Sequence, residues 1–197
     1  SFEFRLILDR LNPKPGETLV DLGSGMGRQG IYMGLMHPEV NFHGYEIVTE
    51  RADEGERVAK KMKLSSVQFH KANMADPSWK PEPADYYYAF NPVSGSTFDK
   101  VLLYLRSQAI EHQKPFKIVV SGPAAYAKLE AAPWLKEITH APRFAEDDFA
   151  RVFEFQPPAP SRETAALSTP PEGRPLSLED RDSLTQIFER EKPDLTP

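Results

Sequence analysis

The segment Thr18-Leu19-Val20-Asp21-Leu22-Gly23-Ser24-Gly25-Met26-Gly27-Arg28 runs apolar, carries an acid one residue before the end of that run, and then places glycines on alternate positions. Thr18 to Leu22 has the β-branched, apolar character of a short buried strand. From Gln29 to Met36, residues Ile31, Tyr32, Leu35 and Met36 recur at helical spacing. The glycines therefore occupy a strand-to-helix turn. Glycine alone lets the backbone come close to a ligand at such a turn. Gly23, Ser24, Gly25 and Gly27 are accordingly expected to cradle a nucleotide-type cofactor.

Two kinds of cofactor use such a turn, and the register of the glycines against the strand separates them. Gly25-Met26-Gly27-Arg28-Gln29-Gly30 spells the GxGxxG dinucleotide fingerprint. That fingerprint begins where the strand ends. Counted from Gly23, arginine stands where the third glycine belongs, so the phase is lost. An acid at the strand tip also suits a cationic ligand better than a pyrophosphate, which seeks helix-terminal N–H groups.

An acid followed by GxGxG resembles the first motif of class I methyltransferases dependent on S-adenosylmethionine (SAM), and roughly the first three quarters of the chain follows their element order. Pro15-Gly16-Glu17 through Arg28, with Gly44-Tyr45-Glu46-Ile47, resembles small bacterial and archaeal enzymes with DLGSGxGR, and more distantly the non-SET histone-lysine methyltransferases. The resemblance implies a three-layer, Rossmann-like, mostly parallel α/β sheet of about seven strands with a C-terminal antiparallel edge hairpin. It implies SAM as cofactor and an amine as methyl acceptor, on a protein lysine or a small molecule.

The remaining elements are read from periodicity. Phe2 to Leu11 places Phe4, Ile7, Leu8 and Leu11 on one helical face and stops at Asn12-Pro13. Asn41 to Tyr45 is a second strand, ended by Glu46. The following helix, Thr49 to Lys63, turns Ala52, Gly55, Ala59 and Met62 inward. Val67 to Lys71 and Ala84 to Phe90 are strands three and four. Ser96-Thr97-Phe98-Asp99 has the form of a capping box opening a helix over Phe98 to Glu111, with Phe98, Val101, Leu102, Leu105 and Ala109 on one side. Phe116 to Ser121 is a fifth strand, and Leu135 to His140 with Arg151 to Gln156 could pair as the edge hairpin. Alternating strands and helices predict a parallel sheet with right-handed crossovers.

A change of composition sets the domain boundary at Gln156. Residues 1–156 form the expected methyltransferase domain. Pro157 to Pro197 holds eight of the nineteen prolines and more acids than bases, with one amphipathic stretch, Ser177 to Glu191, that shows Leu184, Ile187 and Phe188 on one side. This stretch is either a helix packed on the outside of the domain or a partner-binding element.

Each remaining candidate has a chemical reason. Asp21 can offset the positive charge of a sulfonium or ammonium group while the glycines let the methionyl portion lie against backbone. Glu46 stands 21 positions after Gly25 at the tip of the next strand, where two carboxylate oxygens can accept from two ribose hydroxyls. The resemblance puts Asn73 at the adenine edge, since its carboxamide both donates and accepts. Met74 is expected on the adenine face or in the core, and Asp76 as a second cofactor contact or a turn cap before Pro77. At the fourth strand tip, Asn91-Pro92 resembles the transfer motif of amino-group methyltransferases, with Asn91 and a neighbouring carbonyl fixing the amine. That motif usually closes on an aromatic, where this chain has Ser94.

Composition excludes several chemistries. With no cysteine there is no disulfide, thiol nucleophile or thiolate metal site. His37, His43, His70, His112 and His140 lie at no ligand spacing, and no metal is expected. A net charge of −5 argues weakly against a nucleic-acid surface. The longest apolar runs, such as Leu102-Leu103-Tyr104-Leu105, fall far short of a membrane span. A cytoplasmic protein is expected, although the chain opens on Ser1 rather than methionine. Two further readings stay open: an NAD-type oxidoreductase, which predicts a second mononucleotide-binding half, and a SAM-binding module without catalysis.

Overall fold

The computed structural model describes residues 2–90, 95–138 and 150–158. The transfer motif Asn91-Pro92 with Ser94, and the Ser177 to Glu191 stretch, lie outside the described residues. Among these residues the chain runs α1 (Phe2–Leu11), β1 (Thr18–Leu22), α2 (Arg28–Met36), β2 (Asn41–Glu46), α3 (Thr49–Lys61), β3 (Val67–Lys71), β4 (Tyr86–Phe90), α4 (Ser96–Glu111), β5 (Phe116–Ser121), α5 (Pro123–Glu130), β6 (Lys136–Glu137) and β7 (Arg151–Phe155).

The strands form one sheet in the order β3-β2-β1-β4-β5-β7-β6. The first five are parallel, while β7 pairs antiparallel with both β5 and β6. An antiparallel strand beside β5 departs from the all-parallel 3-2-1-4-5-6 order of the dinucleotide fold. β1 and β4 lie side by side although β2 and β3 intervene in sequence, so the winding reverses between them, and in open α/β sheets ligands bind at the strand carboxyl ends of such a switch point.

Strand alternation divides the core into two layers. Leu19, Tyr86, Tyr88, Val119 and Val152 meet Ile7, Leu8 and Leu11 of α1 and Met33 of α2 on one side. Val20, Leu22, Tyr87, Ile118 and Val120 meet Phe98, Val101, Leu102, Leu105 and Ala109 of α4 and Leu129 of α5 on the other. Each large apolar side chain fully removed from water contributes roughly 1.5–3 kcal/mol. The α4 stripe read from the sequence is the buried stripe of that helix.

Several local expectations are corrected. Met62 is 43% exposed, because α3 ends at Lys61 and Lys63 enters the left-handed region with φ 58°. The capping box at Ser96 does not form: α4 starts at Ser96 itself, its N-cap is Gly95 with φ 68°, and no side chain caps it. β4 begins at Tyr86 rather than Ala84, and β6 is only two residues long. Helix α5, opened by Pro123, had no expectation, since Ala124-Ala125 carry little amphipathic signal. The crossover from β3 to β4, residues 72–85, contains no helix. Tyr45, His70, Trp79 and Tyr104 pack there ring against ring at centroid distances of 4.8–6.0 Å.

Candidate functional site

The glycine turn is held from β2. The Gly23 and Ser24 N–H groups both donate to the Tyr45 carbonyl, at 2.9 and 3.0 Å, and Gly27 N–H closes the turn on the Ser24 carbonyl at 2.9 Å. Gly23, Gly25 and Gly27 all take positive φ, at 100°, 55° and 78°. Their surroundings differ. A Cβ at Gly23 or Gly25 would meet nothing within 4 Å, whereas one at Gly27 would lie 2.4 Å from the Phe69 ring. The first two glycines therefore leave an open backbone face, and the third lets α2 settle on β3. Gly30, which completes the GxGxxG string, likewise meets the Phe42 ring at 2.4 Å, so its role is packing.

Both acids stand where expected and both are buried. Asp21, 3% exposed, sits opposite Gly44 of β2 and Tyr88 of β4. Burial, reinforced by the nearby Glu46 carboxylate, pushes its carboxyl up from 3.8 to about 8. An acid held this far from water gains from a cation placed beside it. Glu46, 6% exposed, is committed on both oxygens: one accepts from Gly25 N–H at 2.8 Å and the other from Val48 N–H, at the start of α3, at 2.9 Å. Each oxygen keeps a lone pair for a further donor.

On the loop after β3, Asn73 is exposed and its side-chain oxygen accepts from Ala75 N–H at 3.0 Å. Its carboxamide N–H2 group is available to a ligand. Asp76 is a turn cap, accepting from the Ser78 N–H at 2.8 Å and hydroxyl at 2.7 Å, and these bonds hold its carboxyl below the usual range. Met74 is buried with Val20, Leu22, Tyr45 and Tyr87, in the core rather than on an open face. Ala72 N–H donates to the Glu46 carbonyl at 2.9 Å, tying this loop to the tip of β2. Register pairs Leu22 with Tyr45 and Glu46 with Lys71, so the tips carrying the glycine turn, Glu46 and Asn73 lie side by side at one edge of the sheet. Exposed Met26, Ile47 and Phe90 stand on the segments at this edge.

Sequence reading overlooked two groups. Val48 offers only a backbone N–H and has no side-chain signature. Gln29, in the first turn of α2, is 3% exposed with neither carboxamide atom hydrogen-bonded among the described residues; the Ser24 hydroxyl is similarly buried and unpaired. A polar residue inside an otherwise apolar helical face was the available signal for Gln29.

No family model matches the sequence. Over 63 residues the chain is 36% identical to the ribosomal RNA small subunit methyltransferase G of Parabacteroides distasonis, a match covering 32% of this chain and 27% of that protein. The chain thus spans about a quarter of the length of the curated relative it matches. A SAM-dependent O-methyltransferase from Thermotoga maritima superposes with a TM-score of 0.58 at 16% identity, over 81% of this chain and 66% of that one. A SAM-dependent methyltransferase from Aquifex aeolicus gives 0.57 at 13% identity, over 77% and 88%. An rRNA methylase from Streptococcus thermophilus gives 0.56 at 9% identity, over 77% and 94%. These likenesses establish the fold: the seven-stranded, Rossmann-like sheet is that of class I methyltransferases.

Proposed function

From that fold, we propose that the chain is a SAM-dependent methyltransferase acting on an amine-type nucleophile, on a protein lysine or a small molecule. The observation that carries this reading is the pair of buried carboxylates, Asp21 and Glu46, flanking a turn whose Gly23 and Gly25 faces are open. This donor set fits the cofactor. Asp21 would offset its positive charge, the backbone of Gly23, Ser24 and Gly25 would line its methionyl portion, Glu46 would accept from the ribose hydroxyls, and Asn73 would reach the adenine edge. Gly27 shapes the turn through its packing on Phe69, while Met74 anchors in the core the loop that carries Asn73 and Asp76 caps its turn.

When bound, SAM supplies a methyl group already activated by its sulfonium. The protein's task is then positioning, which contributes up to roughly 7–11 kcal/mol in favourable systems. In this reading Asn91 accepts from the amine of the substrate, Pro92 fixes the backbone that aims it, and residues 1–156 make up the catalytic domain, with 157–197 appended to it. The negative net charge favours a protein or small-molecule acceptor, and the rRNA methyltransferase relative makes RNA the acceptor to test against.

Calorimetry with SAM, S-adenosylhomocysteine and NAD tests the cofactor: the first two bind and NAD does not. Incubation with methyl-labelled SAM and cell lysate, with and without ribonuclease, tests the reaction. Label enters protein or a small amine, persists after ribonuclease, and is abolished by Asp21→Ala and Asn91→Ala. Full incorporation by Asn91→Ala overturns the transfer site, and cofactor binding without incorporation into any acceptor favours a non-catalytic SAM-binding module.

A further inference from the structure

We infer that the His43–His70 contact makes cofactor capture acid-sensitive, because it braces, through the Tyr45 ring, the strand tip that holds the glycine turn. This inference rests on the cofactor reading above.

The contacts form an unbroken series. His43 of β2 and His70 of β3 meet through Nδ1 and Nε2 at 3.0 Å, with rings 9° from parallel. His70 is the register partner of Tyr45 and stacks on its ring at 4.8 Å. Trp79, from the crossover that also carries Asn73, meets the same ring edge-on at 5.7 Å, and the Glu82 N–H donates to the Tyr45 hydroxyl at 3.4 Å. With its side chain held in this way, Tyr45 offers its carbonyl to the Gly23 and Ser24 N–H groups at 2.9 and 3.0 Å. The next residue is Glu46, whose carboxylate takes the Gly25 N–H. A displacement of the His70 ring therefore reaches three consecutive amides of the turn through one neighbouring residue and its successor.

Such a pair admits one proton more readily than two. In the neutral pair one imidazole donates and the other accepts, and a single added proton leaves that N–H···N bond in place. A second proton sets two N–H donors face to face, so the bond is lost and like charges repel. Burial holds both titrations below 6.5, and His70 adds to the effect on His43. Two charged groups face the rings. Glu82, from the crossover, favours protonation of both, while Glu56 of α3 favours it at His70 and is itself paired with Lys60 at 3.2 Å. Tyr45 stays a neutral phenol in this range, since burial raises its titration from 10.0. Both histidines are half-buried, so a charged ring gains water by turning outward, and His70 then leaves the Tyr45 face. Acid thus favours the unbraced turn, which binds SAM less tightly, and SAM in return favours the uncharged pair.

The test compares wild type with His70→Phe, which keeps a ring on Tyr45 but cannot titrate, by calorimetry with SAM between pH 7 and 5. The Asp21 proton is common to both proteins and cancels in the ratio of their affinity losses. The expected result is a wild-type loss roughly tenfold greater than that of the variant, the change that a one-unit shift in a titration brings. A second readout needs no variant. The Cε1–H NMR signals of His43 and His70 are followed against pH with and without SAM, and SAM should move both titrations to lower pH. Equal affinity losses in wild type and folded variant overturn the inference, and so do histidine titrations that SAM leaves in place; the NMR result decides alone if the variant does not fold. Failure of the wild type to bind SAM at pH 7 overturns the cofactor reading instead, a separate outcome seen before any comparison is made.

Discussion

The Glu46 carboxylate accepts from the Gly25 N–H at 2.8 Å, joining two residues 21 positions apart. Its second oxygen takes the Val48 N–H at 2.9 Å, so one side chain ties the glycine turn to the start of α3. Two backbone N–H groups held by one side chain shape the turn before any ligand arrives.

Glu46→Gln replaces one accepting oxygen with a donor, leaving either Gly25 or Val48 without its partner. The expected loss is roughly 1.5–3 kcal/mol of unfolding free energy, measured by urea denaturation. SAM affinity should fall with it in calorimetry. An unchanged urea midpoint would show that the carboxylate does not brace the turn.

Alanine at Gly25 and at Gly27 should separate binding from folding. Both sites have positive φ, which costs an L-residue about 1–2 kcal/mol. Only Gly27→Ala also drives a methyl group to within 2.4 Å of Phe69. Gly27→Ala should lose several degrees more in melting temperature than Gly25→Ala, while Gly25→Ala should fold and lose SAM affinity because its methyl fills the open face. The reverse order of melting temperatures would refute this division of roles.

Asp21 gives the stability curve a definite slope. Its carboxyl holds its proton up to about 8 in the folded state, against 3.8 when unfolded, so the folded state binds more protons in that interval and stability declines as pH rises through it. Asp21→Asn should remove the slope and be more stable than wild type at pH 8, by on the order of a few kcal/mol. Binding of a cation favours the ionised form, so SAM should bind more tightly as pH approaches 8, releasing a proton below it. Calorimetry in two buffers of different ionisation heat detects that proton, and a heat independent of buffer would contradict the coupling.

His43 and His70, 27 residues apart in sequence, meet through Nδ1 and Nε2 at 3.0 Å with nearly parallel rings. Burial lowers both titrations; mutual repulsion adds to the effect on His43, while Glu82 opposes it at both rings and Glu56 at His70. Unfolded imidazoles take up protons near 6.5 and the folded pair resists, so stability falls as pH drops below that value. His70→Phe should flatten the acid side of the curve, followed by urea midpoints from pH 7 to 5. An identical slope in the variant would exclude the pair as its source.

Local pattern revealed much of the fold. β1, β3 and β5 have the bounds read from their apolar runs, and the α4 face follows from its 3.6-residue period. Helix ends were less legible. Ser96 has the composition of a cap, yet Gly95 takes the N-cap position and Ser96 is already helical, a decision made by backbone path rather than residue type. Helix α5 escaped because a short alanine-rich segment carries little periodic contrast.

Sequence by itself determined the strand, the acid and the glycine turn at the amino-terminal end of the chain, because short-range sterics and hydrophobic period act between neighbours. Tertiary structure decided which glycines face open space and which face Phe69, why Gly30 belongs to packing, and that the buried Gln29 carboxamide meets no partner among the described residues. It also placed both Glu46 oxygens on backbone donors and brought two distant histidines together. Those facts depend on contacts between elements far apart in the chain, and only the assembled sheet sets their register.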